Sequence, residues 1–431
     1  EVQESAVKPI EPVFLDYQKD MSQLKAKSDI PILYKQNVAN DLFQLIYVFD
    51  MGNNHDKALG TAFDYLEYLG TSDMTPEELK SEFYRLACTF YVSPGNERTY
   101  VVLSGLNENM PAAVQLFEKL LADAQVNKEA YTNMTSDILK ARSDAKLNQG
   151  QNFSRLMSFA MYGPKSPATN LLTEAELTNM NPQELVDRIH NQNSYKHRIL
   201  YYGPSSSKDL LATINQYHQV PAALKDIPAG NEYSYLETPV TKVLVAPYDA
   251  KQIYMAQISN LDKKYDPAIE PIRALYDEYF GGGMNSIVFQ EMRETRGLAY
   301  SAWASIMPPS YLKYPYVLRT QIATQNDKMI DAVTTFNDII NNMPESEAAF
   351  KLAKDGLTNR LRTERIIKGD IIWSYINAQD LGQNVDPRIK LYNDIQNMSL
   401  KDIVDFQKQW VKGRTYVYCI LGDKKDLELD K

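Results

Sequence analysis

At 431 residues the chain is too long for one small core and suits two or three domains. Hydrophobic content of 44% and charged content of 23% are those of an ordinary globular protein, while a net charge of -9 leaves no basic field to neutralise phosphates and excludes nucleic acid as a partner. The two cysteines, Cys88 and Cys419, exclude a disulfide framework and read as buried thiols, and no apolar run has the length of a membrane span.

Residues 1–20, with Pro9, Pro12 and no clear period, read as an arm or linker. The chain opens Glu-Val-Gln, with no basic-then-apolar leader, which reads as a mature or excised piece and leaves its compartment unknown. Strand-like runs at 32–34 and 45–49 precede a polar turn at 50–56. From residue 57 the apolar positions Leu59, Ala62, Phe63, Leu66 and Leu69 recur at helical spacing, and Gly70-Thr71 is the expected stop. Thr75-Pro-Glu-Glu is a helix start, with Thr75 as cap and Glu78 closing a capping box. A strand at 98–103 and helices at 110–124, 128–146 and 152–162 follow.

Asn179-Met-Asn-Pro-Gln-Glu-Leu-Val-Asp leads into a helix, and Arg198-Ile-Leu-Tyr-Tyr-Gly into a strand. Asn397-Met-Ser-Leu-Lys-Asp-Ile-Val-Asp and Thr415-Tyr-Val-Tyr-Cys-Ile-Leu-Gly repeat the pattern near the end of the chain. The Asn-Met and Val-Asp pairs are both offset by 218 positions (397 − 179 and 404 − 186), so the repeat is of domain size. The proline-bounded stretch 220–238 is the expected joint. The second copy reads as strands at 243–245, 253–258 and 316–322, helices at 327–341 and 346–367, and a closing helix and strand. The fold class is α+β, with an arm over 1–20 and domains over 21–225 and 226–431.

The most informative stretch lies inside the second copy. Gly281, Gly282 and Gly283 follow an amphipathic run over 272–280, and Ile287, Val288, Phe289 and Met292 give a second short helix its apolar face. Gly297 ends that helix, after which Leu298, Tyr300, Ala302, Ala304 and Ile306 fall on one face of a strand. Arg293 is thus late in a helix and Tyr300 early in a strand, across a tight turn that aims a guanidinium and a phenol at one point. Two plainer roles compete: a cation complementing a helix C-terminus, and a sheet tyrosine with a wet hydroxyl. No Gly-Lys-Ser/Thr follows the glycines, which argues against a phosphate loop.

Gly-Gly-Gly-Met-Asn-Ser-Ile-Val-Phe-Gln-Glu-Met-Arg followed by Arg-Gly-Leu-Ala-Tyr resembles the C-terminal signature of the pitrilysin, or insulinase-like, zinc peptidases. The resemblance implies two homologous domains, each a mainly antiparallel sheet covered by helices. It also implies that Arg293 and Tyr300 contact a bound peptide. Catalysis in that family needs H-x-x-E-H on the first long helix, where two histidines bind zinc and the glutamate activates water. Here the matching positions are Asp64, Glu67 and Tyr68. Asp144, in the region where the family keeps its acidic third ligand, sits among Arg142 and Lys146, and His55, His190, His197 and His218 show no ligand spacing.

The sequence therefore resembles the degenerate half of such an enzyme, with no catalytic residue and no metal ligand of its own. Zinc is expected in a homologous partner half or subunit carrying H-x-x-E-H, whose active site this chain completes while binding peptide substrate. The alternative is a catalytically silent scaffold homologue; retention of both Arg293 and Tyr300 favours the first reading. An independent metallohydrolase fits least.

Overall fold

The structure is a computed structural model that describes residues 10–249 and 252–423. In the first half, α1 (Tyr17–Asp20), β1 (Ser22–Lys25), β2 (Pro31–Gln36) and β3 (Leu42–Phe49) lead to α2 (Leu59–Leu66) and α3 (Pro76–Arg85). The hairpin β4 (Cys88–Pro94) and β5 (Thr99–Leu106) precedes α4 (Met110–Asp123), α5 (Lys128–Ala145) and α6 (Gln149–Tyr162). Then come α7 (Glu174–Asn179), α8 (Gln183–Asn191), β6 (Arg198–Gly203) and α9 (Ser207–Tyr217). The second half runs β7 (Lys242–Pro247), β8 (Gln252–Lys264), α10 (Glu270–Phe280), α11 (Ile287–Phe289), β9 (Ser301–Met307) and β10 (Pro315–Gln325). It closes with α12 (Met329–Asn341), α13 (Glu347–Thr363), α14 (Asp370–Asp380), α15 (Pro387–Ile395), α16 (Leu400–Trp410) and β11 (Val417–Gly422).

The two sheets repeat one topology. The first has the order β1-β2-β6-β3-β5-β4 and the second β7-β11-β8-β10-β9. In each, one parallel pair, β2 with β6 or β7 with β11, joins an otherwise antiparallel ladder. The repeated Val-Asp helices also correspond, since α8 packs on α2 and α16 on α10. The α+β fold with two like halves is thus the observed one.

Side chains alternate across each sheet, yet both faces are buried. Leu45, Tyr47 and Phe49 of β3 join the core under α2, α4, α8 and α9, whereas Ile46 and Val48 face the opposite way. That second face is covered by Ile371, Ile372 and Ile376 of α14, a helix from the other half. Reciprocally, Phe153, Met157 and Ala160 of α6 cover Ala256, Ile258, Val417 and Cys419 on the outer face of the second sheet. Each half lends a helix to the other's sheet, which explains why β3 reads as a near-continuous apolar run. Arg98, just before β5, adds a bidentate pair to Asp380 of α14, at 2.6 and 2.5 Å.

Several expectations shift. Residues 10–20 of the expected arm are docked rather than free: Leu15 and Tyr17 are buried with α14, and the Leu15 amide donates to Asp386 at 2.9 Å; residues 1–9 lie outside the described set. The helix expected to reach Gly70 ends at Leu66, where the Tyr68 amide turns back to the Tyr65 carbonyl. The helix expected over 346–367 ends at Thr363, and α6 starts three residues early because Asn148 caps it. Thr75 and Glu78 form the expected capping box, and both cysteines are free and buried. Among the described residues no helix is long and apolar enough to cross a membrane.

Candidate functional site

The glycine stretch ends α10 against the edge of the second sheet. A Cβ on Gly281 would lie 2.2 Å from the Ala304 carbonyl oxygen of β9, so only glycine permits that approach. Gly283 has open space around it, and its lack of a side chain has no steric cause here. Asp277 fixes the junction: its carbonyl accepts from the amides of Gly281 and Gly282, and its carboxylate accepts from Ser305 Oγ at 2.9 Å and Ile306 N at 3.0 Å. Burial pushes that carboxyl up to about 6, while Arg273 at 2.8 Å and the two donors keep it ionised at neutral pH.

Beyond the loop, Ser286 caps a single α-helical turn, α11, which widens over residues 290–295 into a π-type turn. Met292 points inward and is fully buried, and Arg293, the next residue, emerges to solvent. Gly297 then takes the left-handed conformation, φ 57°, that reverses the chain. The turn is pinned to the end of β10 and the short turn following it: Tyr300 N donates to the Ala323 carbonyl at 2.9 Å, Thr324 Oγ1 to the Leu298 carbonyl, and Lys328 Nζ to the Gly297 carbonyl.

Arg293 and Tyr300 come together on this turn. The guanidinium carbon lies 5.0 Å from the Phe289 ring centre and 5.8 Å from that of Tyr300, so two aromatic faces hold it. Glu294 Oε1 is 3.6 Å from its Nε. Tyr300 is 73% exposed, and its hydroxyl has no partner among the described residues. Here the strand expectation fails: Tyr300 precedes β9 and does not share the buried face of Ala302, Ala304 and Ile306, because Ala299 is the inward residue of the turn. Arg293 likewise sits in the π-type turn rather than late in an α-helix. The pair stands on open surface, outside the four main cavities.

The counterpart of the zinc helix is α2. Asp64, Glu67 and Tyr68 are all exposed, Glu67 is the helix cap and Tyr68 lies beyond it. Burial of its surroundings, with a contribution from the Glu67 charge, raises the Asp64 carboxyl above its ordinary value. Two carboxylates and a phenol at an ending helix do not make the family's zinc site, which needs two imidazoles one turn apart. Among the described residues, Asp144 included, no three His, Cys, Asp or Glu side chains are grouped to hold a metal.

The spacing of the histidines concealed one relationship. His197, before β6, and His218, after α9, meet with their Nε2 atoms 2.8 Å apart. His197 Nδ1 donates to the Tyr195 carbonyl at 2.7 Å, so its Nε2 must accept, and His218 Nε2–H donates to it. His218 Nδ1 faces Glu118 Oε1 of α4 at 2.7 Å, while Glu118 Oε2 accepts from Asn193 and the Gln219 amide, both at 2.9 Å. One further proton is shared between His218 and Glu118, and all of it is buried. Burial, then the neighbouring His218, holds His197 down to about 3. The network bolts the start of the inter-half connection to α4. Only a contact between residues a hundred positions apart reveals it.

Comparison with known proteins follows this geometry. Residues 199–357 match the family described as "Peptidase M16 inactive domain", a span that runs from β6 through the Arg293–Tyr300 turn into α13. The chain is 23% identical over 422 residues to the "Non-peptidase homolog YmxG" of Helicobacter pylori, covering 93% of each. Its fold is similar to that of a peptidase M16 inactive domain from Pseudomonas fluorescens, with a TM-score of 0.72, 15% identity, and coverage of 94% of this chain and 98% of that one. It is also similar to the periplasmic protease PqqL from Escherichia coli, with a TM-score of 0.73 and 12% identity, where 96% of this chain spans 46% of that one. The chain thus spans about half the length of that protease. Over residues 199–357 it matches the M16 inactive domain, and over nearly its whole length it is similar in sequence to a non-peptidase homologue and in fold to an M16 inactive domain.

Proposed function

We propose that this chain is the non-zinc half of a two-part peptidase and completes the active site of a homologous H-x-x-E-H half or subunit. The observation that carries the reading is the Arg293–Tyr300 pair: a guanidinium held between two rings beside a phenol whose hydroxyl is unspent. Such donors suit a peptide backbone. Tyr300 donates to the carbonyl oxygen that becomes negative when water attacks, and the planar fork of Arg293 holds a neighbouring carbonyl. Neither group generates the attacking water, so zinc and the glutamate belong to the partner. The test is to mix the purified chain with an H-x-x-E-H subunit and follow cleavage of a quenched fluorescent peptide. Turnover that requires both chains supports the reading; equal turnover by the partner alone contradicts it.

A scaffold role is the second reading. It is favoured by the open position of Arg293 and Tyr300, which line none of the four main cavities.

A further inference from the structure

A further cavity is unrelated to the Arg293–Tyr300 turn. It is a cleft of about 750 Å³ between α5, α6 and the segment 163–174. That volume is within the roughly 300–1,000 Å³ typical of ligand sites. Leu139, Arg142 and Lys146 face it from α5 and its C-cap at helical spacing, and Arg155 and Phe159 face it from α6 one turn apart.

Its charge runs against the rest of the chain. The whole carries -9, yet three cations line this cleft against the single carboxylate of Glu174. None of the three is ion-paired with a carboxylate among the described residues, whereas Lys57, Lys119, Arg188 and Arg360 each are. Arg142 donates Nη1 to the Leu172 carbonyl at 2.7 Å, which anchors its fork at the cleft wall and leaves its other N–H groups without a partner among the described residues. Between the cations lies apolar surface: Phe159 and Leu171 are 47% and 48% exposed.

We propose that this cleft docks an acidic peptide segment that carries an apolar side chain. The apolar residue covers Phe159 and Leu171, and flanking carboxylates pair with Arg142, Lys146 and Arg155. Arginine suits this task because its fork meets a carboxylate with two parallel hydrogen bonds. Exposed ion pairs contribute little each, so the apolar anchor supplies the affinity and the cations supply selection and salt sensitivity. The cleft shares no residue with the Arg293–Tyr300 turn, so this docking stands or falls independently of the proposed peptidase role.

The test is fluorescence anisotropy with labelled Glu-Glu-Leu-Phe-Glu-Glu and Lys-Lys-Leu-Phe-Lys-Lys peptides on the full chain. The acidic peptide should bind, the basic one should not, and binding should weaken in about 0.5 M salt, where screening is strong. The double variant Lys146→Glu/Arg155→Glu, both exposed positions, should lose about tenfold or more in affinity, and Phe159→Ala should lose binding with the charges intact. Lys401→Glu, a charge reversal on α16 outside the cleft, should bind the acidic peptide as wild type does. No binding of the acidic peptide, equal binding of the basic one, unchanged affinity in the charge-reversed double variant, or an equal loss in Lys401→Glu would each overturn the proposal.

Discussion

The Arg293 guanidinium lies 5.8 Å from the centre of the Tyr300 ring, although the two side chains leave a π-type turn and a bend rather than two regular elements. What brings them together is backbone: the left-handed Gly297 reverses the chain, and the Tyr300 amide is tied to Ala323. A widened turn is a common way to re-aim a side chain at a site without disturbing the packed face, which Val288 and Met292 keep. Cation–π contacts at exposed positions contribute about 0.5–1 kcal/mol, enough to bias the geometry and too little to explain the pair as a stability device.

Asp277 links the loop that precedes this site to pH. Its folded value of about 6 is above the ordinary 3.8, so between those values the folded state holds a proton the unfolded state lacks. Stability from this group therefore rises as pH falls from above 6 toward 4, and is lost again as pH climbs through 6. Asp277→Asn should flatten that window by one proton's worth, on the order of 2 kcal/mol across it. Denaturant midpoints from pH 4 to 7 check this; parallel curves for the two proteins would contradict it.

The buried Glu118–His218 pair should be costly to break from one side. Glu118→Ala or His218→Ala alone should each destabilise by about 3–5 kcal/mol, because the remaining group is left in a dry core. The double substitution to leucine should cost far less than the sum of the two. Chemical denaturation measures all three, and additive losses would show that the two groups do not act as a unit.

Helix exchange predicts that a single core truncation in one half weakens the other. Phe153→Ala on α6 empties the outer face of the second sheet and should cost about 3–5 kcal/mol. Hydrogen exchange should then rise in β8 and β11, which belong to the other half. Protection lost only within α6 would contradict this account of the interface.

Most regular elements were legible because their apolar periods and caps are local, as with Thr75 and Glu78 or the spacing along α4. The repeat was legible because Asn-Met and Val-Asp recur at one offset. The nearness of Arg293 and Tyr300 across one turn was legible, and the elements that carry them were less so. Period-two reading placed Tyr300 on one strand face with Ala302, Ala304 and Ile306, whereas the turn consumes Ala299 as its inward residue and turns Tyr300 outward. The arm read as free because nothing local shows that Leu15 and Tyr17 bury against α14 from the far end of the chain. His197 and His218 looked unrelated for the same reason: their partner Glu118 is fixed by tertiary packing of α4, not by spacing.

Turnover of Tyr300→Phe assembled with an H-x-x-E-H partner tests the central claim most directly. The substitution removes only a hydroxyl that has no partner among the described residues, so stability and assembly should be unchanged. Loss of a donor aimed at developing negative charge acts on the transition state, so kcat should fall on the order of a hundredfold with little change in KM. Arg293→Ala, measured alongside, should raise KM as well, since its fork positions the peptide. Wild-type turnover from a stably assembled Tyr300→Phe pair would contradict the claim and leave the scaffold reading in its place.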